Sequence, residues 1–401
     1  MPKRAPKTPQ KQAKSGSLPV HPQRIPIRQI PPATACLLWG RAGGRCEFPG
    51  CNRLLYRSAV TTQEANIAEK AHIYAFSRGG PRGHRRVTKA SLNSADNLLL
   101  VCHDCHVLID RRDGATLYPP AFLLEKKAEH ERRIEIVTGI DPSRKSHVLL
   151  YGANIGVHTS PVTFHATAHA MLPDRYPAEA VPISLGVVNA SHTERDGSFW
   201  QFESQHLRRA FETQVGKRVK TQDIDHLSVF ALAPQPLLIL LGTLLCDITP
   251  AEVYQYHREP PTWAWPASAQ TPAIRIEEPE STSGPPALVL ALSATVVAPR
   301  VTLVLGEEAS IWSLTVAAPH NDVLRSRQML GELRTALRHL LNRIKAAHGE
   351  ACTLHIFPAA PAAVNVELGR VRMPKADTAW TLYDQIGDRG FIQAFTIPRG
   401  H

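Results

Sequence analysis

Apolar residues recur at intervals of three and four along 202–219 (FESQHLRRAFETQVGKRV) and 322–349 (DVLRSRQMLGELRTALRHLLNRIKAAHG), a spacing that predicts two amphipathic helices. Each helix is preceded by a stretch of strand character, VPISLGVVNA at 181–190 and ASIWSLTVAA at 309–318. Each is followed by a short apolar run, LSVFA at 227–231 and CTLHIF at 352–357. A further helix follows each run. Strand, helix, strand, helix, read twice, predicts a parallel α/β sheet in each of two halves, about 151–265 and 285–401. The halves also share residues: FALAPQPLLILLG (230–242) and FPAAPAAVNVELG (357–369) agree at five of thirteen positions, without gaps, at an offset of 127. Agreement both in residues and in the order of elements marks an internal duplication. Ala233-Pro234 and Ala360-Pro361 open the last helix of each half. Such small residues either let a ligand approach the N-terminal amides or simply start a tightly packed helix. The most apolar run, PLLILLGTLLC at 236–246, falls short of the roughly 20 residues that cross a bilayer and suits a buried helix.

Charge sets the first third apart. Residues 1–140 carry 23 Lys/Arg against 11 Asp/Glu, a net of +12, whereas 141–401 carry 23 against 24, a net of −1. A polyanion is therefore expected on the N-terminal third, held by counterion release. Residues 1–32, with eight prolines, seven Lys/Arg and no acid, predict a disordered basic arm that either rides on phosphates or solubilises the chain. They lack the apolar core of an export signal, so a cytoplasmic chain with reduced cysteines and no membrane contact is expected. LLEKKAEHERRIEIVTG at 123–139 has helical character and ends in Gly, and the polar, Pro-containing TGIDPSRKSH (138–147) predicts a linker over 141–150. Globular domains are then expected over 33–140 and 151–401.

Two close thiol pairs lie in the basic third, Cys46 and Cys51 in CEFPGC and Cys102 and Cys105 in CHDCH. The second pair alone fits haem attachment, redox exchange or zinc. Without export, haem attachment is disfavoured, and the two knuckles together supply the four soft ligands of a structural zinc ion. Cys36, Cys246 and Cys352 have no close partner and are expected as apolar filler. Between the pairs run EKAHIYAFSRGGPRGHRR (69–86) and LNSADNLLLVCHDCHVLID (92–110). Phosphodiester hydrolysis needs a base for water and a hard cation for the charge that develops on phosphate. His72 can be that base. His106 and Asp110, four apart and so on one helical face, can share a Mg²⁺ or Mn²⁺ ion. Asn97 can hydrogen-bond nearby backbone or His72 and fix the imidazole. Arg78, Arg82, Arg85 and Arg86, set among glycines, suit a loop that grips DNA backbone, while His84 and His103 read as solvent or phosphate contacts.

His72 in Ala-His-Ile, Asn97 in Asp-Asn-Leu and His106 after the second knuckle, flanked by the thiol pairs in this order, resemble the HNH endonuclease family over roughly residues 33–140. The resemblance implies a ββα-metal fold, with His72 on the first strand of a hairpin, Asn97 at the second strand or before the helix, and His106 on the helix. It implies double-stranded DNA as substrate, and no base-reading motif is evident, so little sequence selectivity is expected. The chain departs from the family at Ala71, where many members carry an Asp or His that ligates the metal. Water and substrate oxygens, or Glu69 or another acid, would then complete the shell.

In the remainder, PLLILLGTLL, WAWP, ALVLALSATV, HIFPAAPAAVNVELGRVRMPKA and WTLYDQ resemble the SAVED domain, a fusion of two CARF-like units that senses cyclic oligonucleotides. The expected architecture is α/β overall, a small zinc-containing ββα-metal domain followed by a duplicated CARF-like α/β sensor. The two resemblances together imply a bacterial anti-phage effector that degrades DNA when a cyclic di- or trinucleotide, the dinucleotide favoured, activates it. They also imply a homo-oligomer, a dimer that assembles to a tetramer or higher on binding ligand. Candidate ligand contacts are Trp263 and Trp265, as stacking planes or as a hydrophobic clasp, with Pro361 at a helix start and Arg370 and Lys375 beyond it. Two rivals stand beside this reading. One is a modification-dependent restriction enzyme whose C-terminal region reads DNA, against which the near-neutral charge of that region argues. The other is a non-catalytic zinc scaffold, against which His72, Asn97, His106 and Asp110 argue together.

Overall fold

The computed structural model describes residues 29–76, 79–80, 82–83, 89–153, 162–186, 195–246, 250–266 and 272–400. The chain divides after Gly139 into two compact units. In the first, helix α1 (Pro32–Ala42) begins with proline in its first turn and ends where Gly43 takes a left-handed conformation at φ 60°. Strands β1 (Ala68–His72) and β2 (Leu98–Cys102) form an antiparallel hairpin in which Ala68 faces Cys102 and His72 faces Leu98. All five residues of β2 are buried, as its unbroken apolar run requires. Helix α2 (His103–Asp110) leaves directly from the end of β2, and α3 (Pro120–Thr138) follows. Leu38, Leu55, Ile73, Leu98, Ile109 and Leu123 hold these elements together. A hairpin followed by one helix is the ββα arrangement.

The second unit contains two parallel sheets of the same design. In the first half the strands are β3 (Lys145–Gly152), β4 (Ile183–Ser184), β5 (Leu227–Leu232) and β6 (Ala251–Tyr254), with helices α4 (Phe199–Phe211) and α5 (Gln235–Leu245). These four pair in parallel as β4-β3-β5-β6, and a fifth short strand, Tyr176–Pro177, also pairs in parallel with the start of β3. In the second half β7 (Ile274–Glu277) is an antiparallel edge, and β8 (Pro286–Ala291), β9 (Ser310–Val316), β10 (Thr353–Ala359) and β11 (Ala379–Gln385) repeat the pattern. Helices α6 (Arg327–His348) and α7 (Ala362–Arg370) accompany them, and β12 (Phe391–Ile397) closes the far edge. The parallel strands run β9-β8-β10-β11. Each half therefore orders its four strands 2-1-3-4, and the duplication legible at residues 230–242 and 357–369 extends to topology. Side chains repeat as well. Phe230 stacks on Tyr254 at 4.4 Å and meets Trp263 edge-on at 5.3 Å, while Phe357 stacks on Tyr383 at 4.5 Å and meets Phe391 edge-on at 5.1 Å.

The halves join along α5 and α7, which lie side by side. A Cβ on Gly242 would meet Val366 O at 2.0 Å and Gly369 Cα at 2.8 Å; one on Gly369 would meet Ile239 O at 2.1 Å and Gly242 Cα at 2.8 Å. Each contact maps onto the other under the offset of 127, so the two glycines mark a pseudo-twofold axis where only the absence of side chains lets the backbones approach. Polar bonds brace the N-terminal ends. Gln235 Oε1 accepts from Ala360 N and Asn365 Nδ2, each at 2.9 Å, and Gln255 Oε1 accepts from Ala363 N at 3.1 Å.

The linker expected over 141–150 is not one. Residues 145–152 form β3, a strand with a neighbour on each side, and 146–151 are buried. The apolar run Val148-Leu149-Leu150-Tyr151 outweighs the polar lead-in, because central strands of parallel sheets are apolar on both faces. Of the strand expected at 181–190, only its first part lies among the described residues. Among those residues, no helix is long and apolar enough to cross a membrane.

Candidate functional site

The thiol pairs converge. Cys46 and Cys51 belong to the loop after α1, Cys102 ends β2, and Cys105 lies in the first turn of α2. All four sulfurs lie within 4.8 Å of one another. Cys51 and Cys102 are 3.8 Å apart, the edge of a tetrahedron built from Zn–S bonds of about 2.3 Å. Cys102 N donates to Cys46 Sγ at 3.4 Å, the kind of backbone support that orients a thiolate ligand. Burial pushes the Cys46 thiol up to about 12 and Cys105 well above its ordinary range. At Cys102 burial is outweighed by the Cys105 backbone amide and the neighbouring thiols, and the thiol is lowered. A buried set of four sulfurs suits a thiophilic dication, which replaces the protons that burial otherwise retains at Cys46 and Cys105. Of the other cysteines, Cys36 is exposed, so it is not the apolar filler expected, while Cys246 and Cys352 are half-buried.

His72 ends β1, and its ring is held by a residue that spacing did not single out. Asn93 Oδ1 lies 3.0 Å from His72 Nε2, and Phe76 packs edge-on at 5.8 Å. Asn97, 6 % exposed, does not reach the imidazole. Its amide donates to Tyr74 O (3.1 Å) and Leu92 O (3.0 Å) and its oxygen accepts from Tyr74 N (2.8 Å), so it fixes backbone on both sides of the His72–Asn93 contact. Nothing in the string SLNSADN separates Asn93 from an ordinary turn residue, so only the fold reveals it.

His106 and Asp110 meet as their spacing on α2 requires, with Nε2 and Oδ2 3.6 Å apart. Ala71 is buried and brings no donor, and Glu69, weighed as a substitute ligand, lies 3.7 Å from His103 Nδ1 instead. Among the described residues no third His, Cys, Asp or Glu joins His106 and Asp110.

Arg82 corrects the expectation of a DNA-gripping loop. It is 8 % exposed at φ 61°, and its guanidinium donates to Ile73 O (2.9 Å), Ile109 O (2.7 Å), His72 O (3.2 Å) and Asp110 Oδ1 (2.9 Å). One nitrogen, Nη2, touches both the backbone of His72 and the carboxylate of Asp110, tying the end of β1 to the end of α2. A buried guanidinium satisfied by four oxygens is a strut, not a phosphate contact. Arg78, Arg85 and Arg86 lie outside the described residues, as does His84.

In the second unit the predicted ligand contacts do not form one site. Trp263, 1 % exposed, is core against Phe230 and Tyr256 and cannot stack on a base. Arg370, 3 % exposed, is spent on Glu367 (2.7 Å), Cys246 O and Ala251 O, where it ties α7 to the first half. Pro361 is the buried N-cap of α7, and the Ala363 amide just inside that helix is taken by Gln255, so this helix start is a packed joint and not an open anion cradle. Trp265 is half-buried against His257, and Lys375 is exposed.

Comparison with known proteins matches residues 54–115 to the family model "HNH endonuclease" and residues 207–397 to "SMODS-associated and fused to various effectors sensor domain", abbreviated SAVED. No curated protein matches. Similar solved structures include the Acinetobacter baumannii Cap4 SAVED/CARF-domain containing receptor with the cyclic trinucleotide 2'3'3'-cAAA (12% identity, TM-score 0.41, covering 69% of this chain and 55% of that one). The same receptor without a named ligand (13%, 0.37, 77% and 63%) and its Moraxella osloensis counterpart (10%, 0.37, 72% and 60%) are also similar. This chain spans less than two thirds of the length of each of these receptors.

Proposed function

We propose that this chain, in which an HNH endonuclease domain is joined to a SAVED sensor domain, is a DNA endonuclease switched on by a cyclic oligonucleotide in anti-phage defence. The observation that carries the reading is the union of those two matched segments in one chain. Double-stranded DNA suits the net charge of +12 on residues 1–140, and the net of −1 beyond them speaks against a second DNA reader.

In this reading His72 takes the proton of the attacking water. The strut from Arg82 fixes the end of β1 against the end of α2, which sets the base relative to His106 and Asp110. Arg82 occupies Asp110 Oδ1 and leaves Oδ2, beside His106, for a divalent ion. Two protein donors suit Mg²⁺ or Mn²⁺, which complete their shells with water and phosphate oxygens. Such an ion would neutralise charge that builds on the phosphate and the leaving oxygen. The four thiols would hold a structural zinc.

Ligand binding would favour contacts between sensors and bring HNH domains together on one duplex, a dimer becoming a tetramer or larger. Moving such an equilibrium from 1:99 to 99:1 takes roughly 5.5 kcal/mol of differential affinity. The test is plasmid cleavage and particle mass with and without a panel of cyclic di- and trinucleotides. Cleavage and a rise in mass are expected with one member of the panel, and His72→Ala should lower cleavage by about 10²-fold or more while ligand binding persists. Full cleavage without any ligand, with no change in mass, would favour the restriction-enzyme reading instead.

A further inference from the structure

A histidine can serve as a base only if one ring nitrogen carries a lone pair that nothing else occupies. In His72, Nε2 is occupied, by Asn93 Oδ1 at 3.0 Å. The contact is held from both sides. Asn97 bonds Leu92 O, the residue before Asn93, and both backbone groups of Tyr74, two residues after His72, while Ile73 N donates to Asn97 O at 2.9 Å. Arg82 holds His72 O and Phe76 packs against the ring. The imidazole is thus fixed in position, and what remains is which nitrogen carries the proton.

The two orientations of the Asn93 amide have opposite consequences. With its nitrogen toward the ring, the amide would donate to the Nε2 lone pair and leave the proton on Nδ1, so neither nitrogen could accept one. With its oxygen toward the ring, it accepts from Nε2–H and leaves the Nδ1 lone pair free. Only the second arrangement is compatible with a base.

We propose that Asn93 is the positioning residue for His72: its side-chain oxygen holds the imidazole as the Nε2–H tautomer and reserves Nδ1 for the proton of the attacking water. As the water oxygen bonds to phosphorus, its proton passes to Nδ1, the bond to the leaving oxygen breaks, and that oxygen takes a proton from solvent. The ring becomes an imidazolium, and the bond from Nε2–H to Asn93 becomes charge-assisted, so it is stronger in the transition state than before it. The inference rests on the reading of His72 as base.

The test reads the tautomer directly. Full-length protein labelled with ¹⁵N-histidine is measured by long-range ¹H–¹⁵N correlation, and His72 is identified by subtracting the spectrum of His72→Gln. A protonated Nε2 and an unprotonated Nδ1 are expected in the wild type, and a mixture of tautomers in Asn93→Ala. In that variant kcat should fall roughly tenfold to a hundredfold with KM unchanged, the scale of a lost hydrogen bond to a charged group. Asn93→Asp, which keeps an acceptor, should restore the Nε2–H form. A wild-type His72 protonated on Nδ1 would overturn the inference, as would Asn93→Ala with unaltered tautomer and rate. A wild type that shows the expected tautomer yet cleaves no DNA under any ligand would instead count against the proposed function.

Discussion

The glycine pair at the joint of the sensor allows a prediction of sign as well as size. Gly242→Ala places a methyl group 2.0 Å from Val366 O, and ordinary contact begins at 3.4 Å, so α5 and α7 must part by about 1.4 Å or distort. The neighbours are backbone atoms, which cannot turn aside as a flexible side chain does. Overpacking of this kind costs about 1–3 kcal/mol. Separation also strains the Gln235 bonds to Ala360 and Asn365, each worth about 1 kcal/mol net. Against this stands a gain of about 1 kcal/mol from replacing glycine inside a helix. The net expectation is a loss of about 2–3 kcal/mol for Gly242→Ala, and the same for Gly369→Ala. Gly331 supplies the control. It lies inside α6, and no atom comes within 4 Å of the place a methyl group would take, so Gly331→Ala should gain about 0.5–1 kcal/mol. Urea unfolding followed by tryptophan fluorescence suits the comparison, because five of the six tryptophans lie in the sensor unit. The double variant should cost less than the sum of the two singles, since the first methyl group already parts the helices. If Gly242→Ala and Gly331→Ala shift the midpoint in the same direction, the close approach of the two helices is refuted.

Three further expectations rest on contacts already described. Elemental analysis should find one zinc per chain, and Cys105→Ser should lose it together with the fold of the first unit; folded protein free of zinc would dismiss the assignment of the four thiols. Arg82→Ala removes four hydrogen bonds, three of them to main-chain oxygens, so the first unit should lose about 3–4 kcal/mol and cleavage should fall with it; a variant that only weakens DNA affinity would restore the phosphate-gripping role. The sensor should lose stability on acidification from pH 6.5 towards 4. Burial first, then Arg175 and Arg144, lower His226 to about 4, and burial also lowers His147, His257, His348 and His355. These rings take protons less readily folded than unfolded, so the unfolded state binds more protons in this window and stability rises with pH through it. The His226 shift alone amounts to about 3 kcal/mol if wholly shielded and about half that with solvent screening, measurable as the denaturation midpoint against pH.

What could be read in advance depended on whether a residue's role is set by its neighbours in sequence or in space. The duplication was legible because Phe230 and Phe357, Pro234 and Pro361, and Gly242 and Gly369 keep the same spacing, and the fold gives each pair the same task. The convergence of two thiol pairs was legible for a similar reason, since the chemistry of a four-sulfur site restricts spacing within each pair. Arg82 was misread because an arginine among glycines looks solvated, and only the carbonyls of residues 72, 73 and 109 reveal it as a strut. Trp263 and Arg370 failed as ligand contacts for the complementary reason, as their aromatic or charged groups are consumed by the packing of the sensor. Strand β3 was hidden by the proline and charges that lead into it. Asn93 had no signature at all, because its importance lies in a contact that spans 21 residues.

The bonds from Gln235 across the joint have no mirror image. The equivalent position in the second half is Ala362, which has nothing with which to answer. The halves are alike in fold yet joined as a heterodimer is joined, each shaped to the other and neither to a copy of itself. The two halves thus differ at their junction, and a molecule lying across it would meet two different faces. Such a junction can tell the orientation of an uneven molecule, a discrimination that no pair of identical subunits can make.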